Sequence, residues 1–209
     1  MLFRVGNFNL RNLTLPNFEF YENLSYSPQE YEEKIQWTAN QLRKMNAHIV
    51  SFQEVFHYQA LCEACERSGI YPNIVPICPK TEESEPRVGF ISTFPIEEWS
   101  IIQEFPTECQ TPDFHSFRRP LLKATLRLPN GAKIIFFAVH LKSRRAMFQE
   151  KEDPFNPIHI AQGTARSLLY RAKEAIALRK LFIDSITSNT IMAGDLNDSS
   201  RSVSSQIIR

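Results

Sequence analysis

The chain is short of cysteine, of net charge and of long apolar runs, and each shortage removes a class of protein. Four cysteines in 209 residues, at Cys62, Cys65, Cys78 and Cys109, are too few and too unevenly spaced for a disulfide scaffold. A formal net charge of +1 gives no global pull toward nucleic acid or membrane, so any basic surface has to be local. No apolar run approaches the roughly 18 residues of a membrane span. The opening MLFRVGNFNL is too short and too polar for a secretory signal. Repeats, low-complexity tracts and linkers are missing too. What remains is the expectation of a reduced, cytoplasmic protein with one domain over residues 1–209, long enough to bury a sizeable core. Cys62-x-x-Cys65 has no second ligand pair at zinc spacing, so it reads as packing on a helix.

What is present alternates between two periodicities. Strands are expected over residues 3–10, 47–55, 73–77, 88–92, 99–105, 121–128, 133–140 and 190–193, with Pro129-Asn130-Gly131 as a hairpin turn. A helix is expected over 27–45. Ser27 serves as N-cap, Pro28 suits the first turn, and Glu30 completes a capping box. Tyr31, Ile35, Thr38, Leu42 and Met45 then recur at helical spacing to form one buried face. Further helices are expected over 58–69, closed by Gly69, and over 164–188. The polar stretches 78–87 and 150–163 read as loops, and the cations of the last helix, among them Arg166, Arg171 and Lys173, read as a solvated face. Mixed periodicity in one domain means an α/β fold.

Several apolar strands end in chemically capable residues: Asn9 after residues 5–8, Glu54 after 49–52, His140 after 134–139, and Asp195 and Asn197 after 191–193. Each alone has a plainer reading. Glu54 could be a solvated loop carboxylate, Asn9 and Asn12 could make a turn, His140 could be a structural histidine, and Asp195 with Asn197 could close a strand. Together they converge on one chemistry. Ligands in α/β proteins gather at strand ends, and carboxylate and amide oxygens suit Mg²⁺ with a phosphate-bearing substrate.

The stretches GNFNLRNL, IVSFQEVF, FRRPLLKATL, FFAVHLKS and IMAGDLNDS occur in that order between residues 6 and 199. As an ordered set they resemble the endonuclease/exonuclease/phosphatase superfamily of metal-dependent phosphoesterases. They are closest in style to bacterial members in which HLKS is followed by a loop and an arginine-containing helix. The resemblance implies two β-sheets packed as a sandwich between helices, a four-layer α/β/β/α arrangement, with the phosphate at one end. It implies Glu54 as the main Mg²⁺ ligand (Mn²⁺ as the alternative ion) with Asn9 supporting it. Asp195 and Asn197 would orient the attacking water and the phosphoryl group, and His140 would donate to phosphoryl oxygen. Arg119 would contact substrate phosphate, which a guanidinium suits. The basic run Lys142, Arg144 and Arg145 lies beside the same place, with Lys142 as a further phosphate contact. The implied substrate is a phosphoester, nucleic acid foremost.

The resemblance also implies a late strand end with an Asp-His pair, and nothing after Asn197 supplies one: the tail reads DSSRSVSSQIIR. The expectation is therefore a chain lacking the C-terminal portion of the domain. It would supply about one sheet, leave that sheet's inner face open to association, and show little or no hydrolase activity. The rival reading is an inactive truncated domain that binds phosphorylated ligands or a partner chain. Residues 79–87 and 144–163 are expected to set substrate choice.

Overall fold

The computed structural model describes residues 2–21, 24–79, 85–185 and 189–209. Its elements, in chain order, are β1 (Val5–Leu13), α1 (Pro28–Met45), β2 (Ile49–Val55), α2 (Tyr58–Ser68), β3 (Arg87–Ser92), β4 (Ile96–Glu104), β5 (Ser116–Arg127), β6 (Lys133–His140), α3 (Pro157–Asp184), β7 (Asn189–Asp195) and α4 (Val203–Ile208). The strands form two sheets, β1-β2-β3 and β4-β5-β6-β7. In each sheet one neighbouring pair is parallel, β1 with β2 and β6 with β7, and the remaining pairs are antiparallel.

Period-two alternation of side chains explains how the layers stack. Ile49, Val88 and Phe90 from the first sheet meet Leu122, Ala124, Leu126, Ile134, Phe136 and Ala138 from the second in a dry core between them. Their strand neighbours face outward. Val50, Phe52 and Ile91 pack under Ile35, Leu42, Leu61 and Ala64 of α1 and α2, while Leu121, Phe137 and Val139 pack under Ala177 and Leu178 of α3. The result is a four-layer α/β/β/α sandwich.

Two sheets correct the expectation of about one sheet. The chain crosses between them just after β3, at Thr93-Phe94-Pro95, where Thr93 N–H donates to His48 O and Arg127 N–H to Pro95 O. The inner faces cover each other where β2 and β3 meet β5 and β6, but on the edge strand β4 Trp99 and Ile101, paired with the inward-facing Ala124 and Leu122, remain 44% and 45% exposed.

Three further expectations change. Residues 73–77 form no strand: Ile77 makes only an isolated bridge to Phe90, because the flanking Pro72 and Pro76 have no N–H to give a ladder. The expected loop 150–163 is partly helix, since Asn156 caps α3 by accepting from Ile158 N–H and His159 N–H, with Pro157 opening the first turn. The prolines that read as loop are here a helix start. Arg171 is buried, not solvated. Helix α1 has the expected capping box. Parts of the expected loop 78–87 and of the last helix, residues 80–84 and 186–188, lie outside the described residues. Among the described residues no helix is long and apolar enough to cross a membrane, and all four cysteines are free.

Candidate active site at the strand ends

The inner face of the first sheet turns polar along its parallel pair. Asn7 and Asn9 of β1 sit beside Ser51 and Gln53 of β2. Gln53 donates to Asn7 Oδ1 and Ser51 Oγ, both at 2.9 Å, and Asn7 donates across the sandwich to Gly194 O on β7 at 3.1 Å. This chain of amides ties the two sheets together below the site.

Both strands bulge at this end. The ladder shifts register between Asn9 and Leu13 and between Phe52 and Val55. Arg11, Asn12 and Glu54 take left-handed backbone angles, with φ of 48°, 60° and 61°, and Asn197 beyond β7 has φ 52°. Bulges re-aim side chains and left-handed non-glycine residues tend to gather at functional sites. Here they turn Glu54 out of the sheet toward β7. Asn9 Nδ2 donates to Glu54 Oε1 and to Asp195 Oδ2, each at 2.9 Å. The second oxygens are also engaged: Glu54 Oε2 accepts from Asn12 N–H at 3.1 Å and Asp195 Oδ1 from Asn197 N–H at 2.7 Å.

In the second sheet His140 pairs in register with Asp195. Burial, reinforced by the Arg119 cation and opposed by Asp195, pushes the His140 imidazole down to about 3, so it is neutral near pH 7. Its Nδ1 is buried without a hydrogen-bond partner among the described residues. The Leu141 carbonyl accepts from Arg119 Nη1 at 3.2 Å and from Asn197 Nδ2 at 2.9 Å, which brings these two side chains to one point.

A cleft of about 850 Å³ opens over these groups. Of the residues singled out in the sequence, Glu54, Arg119, His140, Lys142, Asp195 and Asn197 line it; Asn9 lies behind them, holding the two carboxylates. Lys142 is placed differently from a phosphate contact. Its ammonium donates to Ser143 O, Arg145 O and Ser167 Oγ at 2.9–3.1 Å, so its donors organise the turn after β6. Burial first, then Arg119, lowers its pKa to about 8. Sequence reasoning passed over Arg118, which lines the cleft, and Tyr21, whose ring carries Arg145 at 5.1 Å at the rim. Asp198 accepts from Arg144 at 2.7 Å and Arg171 at 3.3 Å and anchors the far wall. No spacing rule would have found Tyr21, because it reaches the cleft through a loop.

The donor set bears on a metal ion. Among the described residues no three His, Cys, Asp or Glu side chains are grouped so as to hold a single ion, which disfavours a zinc-type cage of protein ligands. Two carboxylates at an open cleft, with the buried, unpartnered Oδ1 of Asn12 beside Glu54, fit an ion that takes one or two carboxylates and completes its shell with water and substrate oxygen, as Mg²⁺ does.

The double sheet flanked by helices matches the fold of solved proteins described as endonuclease/exonuclease/phosphatase family members. The solved structures that match this chain include an endonuclease/exonuclease/phosphatase family protein from Bacteroides thetaiotaomicron, at 16% identity and a TM-score of 0.59 over 99% of this chain and 67% of that one. A mannosyl-6-phosphatase from the same organism matches at 16% identity and a TM-score of 0.58 over 99% and 70%. TDP2 from Caenorhabditis elegans matches at 12% identity and a TM-score of 0.58 over 95% and 48%. No family model and no curated protein matches the sequence. At such identities the likeness defines the fold.

Proposed function

We propose that the protein is a divalent-metal-dependent phosphoester hydrolase, a phosphodiesterase of nuclease type, acting by in-line attack of water. The observation that carries this reading is the convergence of Glu54, Asp195, His140 and Arg119 on one cleft, with the two carboxylates held by a single amide. Glu54, supported by Asn9 and Asn12, would hold Mg²⁺ or Mn²⁺. Such an ion supplies Lewis-acid polarisation of a phosphoryl oxygen. The chain's own groups do the remaining work. Asp195, fixed by Asn9 Nδ2 and by Asn197 N–H, accepts a proton from the attacking water as its oxygen bonds to phosphorus and the P–O bond opposite breaks, the departing alkoxide taking a proton from solvent at the open cleft. Neutral His140 donates an N–H to a phosphoryl oxygen as charge gathers there. Arg119, held against Leu141 O through one nitrogen, has further N–H donors for the phosphate. Fixed donors aimed at developing charge are the largest single source of rate enhancement in such sites.

Nucleic acid is the substrate this reading favours. Arg118, Arg119, Arg144 and Arg145 all line the cleft, and a polyphosphate backbone is the ligand such a set of cations attracts in a salt-dependent way. A cytoplasmic setting accompanies the reading, supported by four cysteines that remain unpaired.

The test is hydrolysis of single-stranded DNA, RNA and bis(4-nitrophenyl) phosphate by the 209-residue chain in Mg²⁺, with Glu54→Ala and Asp195→Ala alongside. Turnover that needs metal and is lost in both variants supports the proposal. Turnover that survives both substitutions removes the site assignment. Phosphate binding with no turnover on any substrate favours the reading as a non-catalytic binding domain.

A further inference from the structure

Helix α3 carries a buried polar stripe where its neighbours are apolar. Ser167, Arg171 and Glu174, spaced four and three residues apart and so on one face, are each almost wholly inaccessible, with Glu174 at 0% exposure. The stripe faces the turns that build the cleft. Glu174 Oε1 accepts from the backbone N–H of Arg118 at 2.8 Å, and Oε2 from that of Lys142 at 2.6 Å. Arg171 Nη1 donates to Lys142 O at 3.2 Å, and Ser167 Oγ accepts from Lys142 Nζ at 2.9 Å. One carboxylate thus joins the β5 end that carries Arg119 to the β6 end that carries His140. A buried carboxylate with no such partners would be costly; here each oxygen takes one backbone donor.

We infer that Glu174 is a positioning residue, setting the phosphate affinity of the cleft by clamping the Arg118–Arg119 segment to the Leu141–Lys142 turn. The inference rests on the phosphoester reading above. Neither Glu174 oxygen reaches the cleft, so it acts through Arg119 and the backbone around His140. Burial raises its pKa to about 7, against the pull of the Lys142 and Arg118 backbone N–H donors and of the Arg119 and Lys142 cations. The neutral isostere Glu174→Gln keeps one acceptor and sets an NH₂ against the other N–H.

The experiment measures inorganic phosphate binding by calorimetry in EDTA, for the whole chain and for Glu174→Gln, Glu174→Asp and Leu178→Ala. The last thins the packing of α3 on the sheet, in the apolar cluster that also holds Phe117 and Leu141, while leaving the Glu174 hydrogen bonds to both turns in place. Thermal midpoints and hydrolysis of bis(4-nitrophenyl) phosphate in Mg²⁺ are recorded in parallel for wild type and each variant. Glu174→Gln is expected to weaken phosphate binding roughly tenfold, the size of one lost hydrogen bond to a charged group. It should also raise KM with kcat largely retained, while Leu178→Ala lowers the midpoint and leaves phosphate affinity alone. Equal affinity in wild type and Glu174→Gln overturns the inference, as does equal weakening in Leu178→Ala. Failure of both Glu174 variants to fold also overturns it, since the residue would then hold the fold and not the turns. Wild type that binds no phosphate yet hydrolyses the diester overturns the inference alone; wild type that does neither overturns the hydrolase reading with it.

Discussion

Glu54 and Asp195 accept hydrogen bonds from the same nitrogen, Nδ2 of Asn9, at 2.9 Å each. Two like charges brought this close repel each other unless a donor or a cation lies between them. Asn9 is that donor in the protein alone, and a bound cation would share the task. Replacing Asn9 with Ala is therefore expected to weaken Mg²⁺ or Mn²⁺ binding by about 10–100-fold, the usual cost of losing a group that orients metal-binding carboxylates. A calorimetric or Mn²⁺ electron-paramagnetic titration reads this directly. Unchanged affinity would exclude Asn9 from the role.

The two carboxylates should be unequal to their amides. Glu54→Gln and Asp195→Asn preserve shape but remove charge, and each is expected to lower kcat on a phosphodiester by roughly 10²–10³, as for loss of one preorganised stabilising group. Combining them should cost far less than the product, because groups acting as one unit are not additive. A double variant that falls by the full product would show the two to work independently.

Asp198 links acid stability to the far wall of the cleft. Burial alone would raise its pKa, but hydrogen bonds from Ser204, Ser202, Arg144 and the Ser199 N–H outweigh it and hold the carboxyl well below the ordinary aspartate value of 3.8. A group depressed in the folded state contributes stability above its unfolded pKa and loses it as pH falls through the folded one. Asp198→Asn should thus be less stable than wild type by about 2 kcal/mol at pH 7, or roughly 4–8 °C in thermal midpoint. The gap should hold down to about pH 4 and narrow below it. A gap independent of pH would show that the carboxylate's charge is not what stabilises this wall.

Gly194 precedes Asp195 in β7. A Cβ there would stand 2.1 Å from Val139 O on the neighbouring strand, and that oxygen belongs to the backbone, which cannot swing away. Gly194→Ala is expected to cost about 1–3 kcal/mol by overpacking and to pull Asp195 off its register with His140, lowering thermal midpoint and phosphodiester turnover together. Retention of both would mean that β6 and β7 can separate without disturbing the site.

Much of the site was legible along the chain because strand ends announce themselves. An apolar run with period two that stops at Glu54, His140 or Asp195 needs no partner to be recognised, and the capping box at Ser27 and Glu30 is equally local. Where the reading went wrong, a local signal had two meanings. Pro157 marks a loop as readily as a helix start, and only Asn156 accepting two backbone donors decides it. Arg171 looks like any helix cation until the turn after β6 is laid across it.

Local pattern therefore specified which residue types end the strands and in what order. Tertiary structure alone decided how they combine. That the strands divide into two sheets, that Asn9 serves both carboxylates, that Lys142 spends its donors on its own turn, and that Glu174 joins two strand ends all depend on segments distant in the chain. Periodicity reports which face of an element is buried. It carries no information about what lies against that face, and here the partner across the layer is what turns a set of polar strand ends into a site.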